Sequence, residues 1–138
     1  MIPSTHHGAW RGPNRLWLED PAAPERSEGT LEATASTVKY TWSFKGAAHH
    51  GEISLAGPAG ALAATWTDTW HAEQGMLLHG LSQDGQILLY GTYPAGDGPD
   101  WGWRIEIDGR DPEHLGLRMF NVPPAGAAVP AVDLRGTR

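Results

Sequence analysis

The chain has 138 residues, with 10 Lys+Arg against 16 Asp+Glu and a formal net charge of −6. That length predicts a single domain spanning residues 1–138, and a hydrophobic content of 40% with seven tryptophans excludes a disordered chain. No cysteine is present, which excludes a disulfide framework, a thiolate nucleophile and any cysteine-based metal site, and is compatible with a cytoplasmic protein.

The N-terminal residues Met1 to Gly12 lack an apolar core segment. No run approaches the roughly 18 apolar residues of a membrane span. The expectation is therefore no signal peptide and no membrane partner. Arginines scattered at 104, 110, 118 and 135 in an acidic chain argue against a nucleic-acid partner.

Taken in chain order, the sequence shows strand periodicity and no helical apolar period. A short first strand is expected over Arg15 to Glu19. A polar, proline-bearing loop over 20–29 follows and is expected to border the open mouth. Leu31, Ala33 and Ala35 then alternate with Glu32 and Thr34. At Val38 the apolar phase flips, so a turn or bulge is expected near Ser36–Thr37. Val38, Tyr40, Trp42 and Phe44 form the apolar face of the next strand, and Ile53 and Leu55 mark another. Leu62, Ala64 and Trp66 follow, and 70–75 (WHAEQG) reads as one helical turn.

Asp84-Gly85 is the strongest hairpin signal, joining Met76–Ser82 to Gln86–Tyr93. Trp101, Trp103, Ile105 and Ile107 alternate with Arg104, Glu106 and Asp108, and strands at Leu115–Val122 and Val129–Arg135 complete the chain. Many short strands with short connections predict an all-β fold: a single antiparallel up-and-down β-barrel of about 8–10 strands.

Gly8-Ala9-Trp10-Arg11-Gly12 stands before the first expected strand. Gly-x-Trp in that position resembles the signature of the calycins, the lipocalin and fatty-acid-binding group of ligand-carrying barrels. With WTDTWH (66–71), GTYPAGDGPDWGWRIEI (91–107) and LRMFNV (117–122), the chain resembles a bacterial lipocalin-like family of unassigned function. The resemblance implies a lumen for an apolar or amphipathic small molecule. It also implies a closed base where Trp10 packs beneath an arginine of the last strand, for which Arg135 is the candidate. The spacing Gly-x-Trp-x-Gly also resembles nitrobindin-type haem barrels. The chain departs from that pattern at Asn14, where a third glycine belongs, and its only late histidine is His114.

Parity assigns the binding wall. Tyr40 and Trp42 share one face, as do Trp101 and Trp103, opposite Lys39, Thr41, Arg104 and Glu106. The expected ligand-binding residues are Tyr40, Trp42, Trp66, Trp103 and Asn121. Alanines at 33, 35 and 64 leave room beside them. Asp68 and His71, three apart at a strand end, are the only acid–base candidates for catalysis; an aspartate orienting an imidazole prepares a general base, and equally caps a turn. No metal site and no cofactor are expected, since the pairs His6-His7 and His49-His50 point to opposite faces on extended backbone. His79 is expected inside the barrel with Leu77 and Leu81. The first expectation is thus a small-molecule binding protein, with a homodimer left open. A cofactor-free cyclase or isomerase working through His71 and Asp68 is the alternative, and a haem protein the third.

Overall fold

A computed structural model describes all 138 residues. Ten antiparallel strands follow one another around a closed barrel: β1 (Gly8–Leu16), β2 (Glu25–Ala33), β3 (Thr37–Phe44), β4 (Ala47–Ala56), β5 (Leu62–Asp68), β6 (Ala72–Gln83), β7 (Gln86–Tyr93), β8 (Trp101–Asp108), β9 (Leu115–Val122) and β10 (Val129–Gly136). Each pairs with its sequence neighbours, and β10 returns to β1, so the all-β up-and-down barrel is the observed architecture. The one helical segment is a 3-10 turn at Ser4–His6, and no helix is long and apolar enough to cross a membrane.

Alternation builds the core. Val38, Tyr40 and Trp42 of β3 face inward with Ile105 and Ile107 of β8 and Leu117 and Met119 of β9, within a cluster of 25 buried hydrophobic residues. Burying one such side chain contributes about 1.5–3 kcal/mol, so the interior dominates stability. At the β6–β7 hairpin, Asp84 and Gly85 both take positive φ (54° and 81°), the two-residue turn that strand twist favours. The phase flip between β2 and β3 is made by a turn over 34–36, where Thr34 Oγ1 accepts the Thr37 amide at 3.0 Å.

Four expectations fail, each for a tertiary reason. The first strand is Gly8–Leu16, earlier than Arg15–Glu19. Its glycines look like breakers but serve the seam: a Cβ on Gly12 would lie 1.9 Å from the Arg135 carbonyl oxygen of β10. The polar loop is limited to 17–24, because Glu25–Ala33 is strand β2, whose charged residues Arg26, Glu28 and Glu32 all face solvent. Residues 70–75 form no helix. They make a tight turn and then a bulge, in which Trp66 pairs with Met76 and Asp68 with Ala72, so β6 carries two more residues than β5 across that interval. Gly75, at φ 81°, permits the detour. His79, Leu77 and Leu81 occupy the outer face of β6, and Leu78 is the residue that points in.

Strand direction defines two ends. The N-terminal residues, the turns at 34–36 and 84–85 and the loop at 109–114 lie at one end. The loop 17–24 and the connections at 69–71, 94–100 and 123–128 lie at the other.

Candidate functional site

The first end is closed by the chain itself. Trp10 is 3% exposed, its Nε1–H donates to the His6 carbonyl at 2.9 Å, and the His6 ring stacks on it at 5.5 Å. His6 Nε2 in turn donates to the Asp111 carbonyl at 2.8 Å, which fixes its tautomer. The cation over the indole is Arg138, with its guanidinium 4.2 Å from the ring centroid and Nη2 donating to the Thr5 carbonyl at 3.1 Å. Arg135 does not fill that place. It follows inward-facing Leu134 and precedes buried Gly136, so parity turns it outward, with Asp111 at 3.7 Å as its nearest carboxylate.

The opposite end carries an aromatic array and a cleft. Trp66 and Trp103 stack with centroids 5.2 Å apart and planes 15° apart, and the His71 ring lies 5.1 Å from Trp103. Next to these, Trp42 stacks on His49 at 4.7 Å and meets Trp70 edge-on at 5.6 Å. A cleft of about 390 Å³ opens beside the first group. Its wall includes Trp66, His71, Met76, Tyr93, Trp103 and Asn121, together with the bulged segment that begins β6.

Of the five residues predicted to bind, Trp66, Trp103 and Asn121 line this cleft. Tyr40 and Trp42, 1% and 2% exposed, belong to the same buried core as Trp66 at 1%, but unlike Trp66 they do not line this cleft. The reason is depth, which parity does not report: both point inward, but neighbouring side chains cover them. Sequence reasoning missed Tyr93, whose hydroxyl donates over β8 to Asn121 Oδ1 at 2.6 Å, and Met76, which the bulge brings to the wall. Burial raises the Tyr93 pKa against the opposing Asn121 bond, so its hydroxyl stays protonated at neutral pH.

Asp68 and His71 are brought together. The Asp68 carboxylate is buried and accepts from the Trp70 and His71 amides at 2.7 and 2.8 Å, and from the Tyr40 hydroxyl. Tyr40 also accepts the Trp66 Nε1–H at 2.8 Å, so one carboxylate ties the turn to the inner aromatic wall. Burial works to raise the Asp68 pKa, but contacts with His71 and Tyr40 outweigh it and the net direction is down. Burial and the neighbouring Asp68 charge push the Tyr40 hydroxyl well above its ordinary value. His71 Nδ1 stands 3.4 Å from Asp68 Oδ1, an electrostatic contact that leaves the nitrogen without a hydrogen-bond partner.

Three of the seven buried side-chain atoms without a hydrogen-bond partner fall in this array, and the others belong to Asn14, Arg104 and Glu106. His71 Nδ1, Trp103 Nε1 and Trp42 Nε1 are buried and unpartnered, and in the interior both amide atoms of Asn14 are as well. Buried polar atoms ordinarily find partners, and each orphan costs about 1–3 kcal/mol. No group of three or more His, Cys, Asp and Glu is placed to hold a metal ion. His114 hydrogen-bonds Asp111 on the outside of the barrel, remote from the cleft, and does not fit the role of a haem ligand there. No protein-family model and no curated protein matches the chain.

Proposed function

We propose that this protein is a cytoplasmic, lipocalin-like barrel that binds a small amphipathic molecule. The ligand has a flat apolar body and at least one polar group, and it sits in the mouth rather than deep in the lumen. The observation that carries this reading is the pairing of a stacked Trp66–Trp103 wall with orphaned buried nitrogens on Trp103 and His71. Trp66 is 1% and Trp103 6% exposed, so Trp103 presents the accessible part of the stack to a planar group, and a ligand acceptor at its Nε1–H relieves a desolvated donor. Asn121, the cross-strand partner of Trp103, and Tyr93 on the strand at the other side of β8 supply polar contacts beside the indole.

The enzyme reading rests on a narrower observation, the 3.4 Å approach of Asp68 to a His71 that borders the cleft. Three other hydrogen bonds hold Asp68, as expected of a turn cap, and the cleft wall offers no serine, threonine or cysteine nucleophile. Binding is the better-supported function. Titration with the fluorescent apolar dye ANS, and native mass spectrometry of the protein as purified, test it. A dye or co-purified molecule bound at one equivalent and lost in Trp103→Ala supports the reading. Absence of both in the wild type refutes it. A compound consumed by the wild type but only bound by His71→Gln promotes the enzyme alternative.

A further inference from the structure

The barrel gathers charge that the sequence disperses. Arg15, Arg26, Arg110, Arg118 and Arg135 line one outer groove of about 630 Å³ that contains no hydrophobic side chain. It crosses β2, β1, β10 and β9 and ends against the 109–114 loop. The ladders place Arg26 opposite Arg15, Arg15 opposite Asp133, Asp133 opposite Arg118 and Arg118 opposite Glu106, one charged row across five strands. Arginines 110, 118 and 135, far apart in the chain, therefore converge, while Arg11, Arg104 and Arg138 stay outside the groove.

The internal pairing is incomplete. Arg15 binds Asp133, Arg118 reaches Glu106 at 2.8 Å, and Arg110 grips Asp108 through two nitrogens at 2.9 and 2.7 Å, holding that carboxyl down at about 2. Arg26 has no carboxylate within 4.0 Å, although it directly opposes Arg15, a like-charged cross-strand pair that is unfavourable by itself. Arg135 has only Asp111, at 3.7 Å and beyond hydrogen-bonding distance. Between these cations the floor is low. Gly116 contributes no side chain, and a Cβ there would meet nothing closer than 3.6 Å.

We propose that this groove is a second binding site, independent of the mouth, for a small phosphate ester that carries hydroxyl groups, a sugar phosphate. Guanidinium forks match phosphate oxygens in pairs, and Arg26 and Arg135 have that capacity unfilled. Asp111, Asp133 and His114 border the same groove and accept from sugar hydroxyls, while their carboxylates disfavour a ligand bearing several acids. Size follows from the charge outside the groove. The chain carries −6 overall, and the groove holds five arginines against three aspartates, so the remaining surface is more acidic still. A polyanion long enough to leave the groove meets repulsion, whereas a monomeric ester does not.

Calorimetric titration at low ionic strength tests the site with glucose phosphate, glucose, inorganic phosphate, citrate and a single-stranded oligonucleotide. Glucose phosphate is expected to bind best and glucose without its phosphate not at all. Arg26→Ala and Arg135→Ala, both exposed positions, are each expected to weaken binding by roughly tenfold or more. Gly116→Glu, which fills the floor with negative charge, is expected to abolish it while leaving ANS binding at the mouth unchanged. The proposal is overturned if glucose phosphate fails to bind at millimolar concentration, if citrate equals it, or if both arginine variants bind like the wild type. Tighter binding of the oligonucleotide overturns it in favour of a nucleic-acid surface.

Discussion

The two ends of the barrel use the same parts and finish them differently. At the closed end a tryptophan, a histidine stacked on it and an arginine above it form a set whose nitrogens have partners: Trp10 Nε1 on the His6 carbonyl, His6 Nε2 on the Asp111 carbonyl, Arg138 on the Thr5 carbonyl. At the mouth a tryptophan pair and a histidine also stack, but Trp103 Nε1 and His71 Nδ1 have none. The closed end draws its partners from the N-terminal turn, the 109–114 loop and the residues after β10. At the mouth the bulge of β6 moves backbone outward, and the array is left facing a cleft. A set completed from within serves stability. One left without partners carries a cost that the rest of the fold must offset, and that under the proposed binding function a ligand relieves.

The largest test of this contrast is Trp10→Ala. It removes a fully packed, hydrogen-bonded indole and is expected to cost about 3–5 kcal/mol in urea unfolding, without changing the ANS affinity of the folded protein. Trp103→Ala, with one side on the cleft, is expected to cost less, about 1–3 kcal/mol, and to reduce ANS binding. Equal losses from the two variants would collapse the distinction.

Acid should loosen the mouth before the closed end. The Asp68 carboxyl titrates below its ordinary 3.8 in the fold. Its contribution is therefore complete above the unfolded value and is lost as pH falls through the folded one. Amide exchange should show Trp70 and His71, whose N–H groups Asp68 accepts, losing protection ahead of Trp10 as pH drops below about 4. Asp68→Asn is expected to cost about 1–2 kcal/mol at neutral pH and to flatten that acid step. Loss of protection at Trp10 first would reverse the assignment.

The smallest effects separate two arginines. Arg138→Ala is expected to cost about 1 kcal/mol, since its guanidinium covers a buried indole. Arg135→Ala, on an exposed outer position, should stay within about 0.5 kcal/mol. Reversed values would restore Arg135 to the base of the barrel.

Much of the fold was legible because alternation reports which side of a strand is wet. β3 and β8 announce themselves in Val38–Phe44 and Trp101–Asp108, and Asp84-Gly85 marks its hairpin. β1 and the start of β2 did not, because Gly12 and Gly29 answer to backbone and side chains of distant strands rather than to local propensity. The site divides in the same way. Trp66, Trp103 and Asn121 follow from parity. Whether an inward residue is covered, as Tyr40 and Trp42 are, depends on stagger between strands, and the positions of His71 and Met76 depend on a bulge marked only by Gly75. The arginine groove had no local signature at all, since its members meet only across ladders.

The seam where β1 meets β10 has a kinetic consequence. Three registered pairs, Asn14–Leu134, Arg15–Asp133 and Leu16–Val132, and one bridge from Arg11 to Thr137 close the barrel, whereas β1 and β2 share nine consecutive pairs. These contacts span nearly the whole chain, so loop-closure entropy is highest there, while every other junction is between sequence neighbours. Folding can proceed hairpin by hairpin from β2 to β10, with the seam as the final, slow step. Until it closes, two strand edges are bare, and a second chain emerging nearby can pair with either. The short ladder that completes the monomer is thus also the place where two chains can exchange strands.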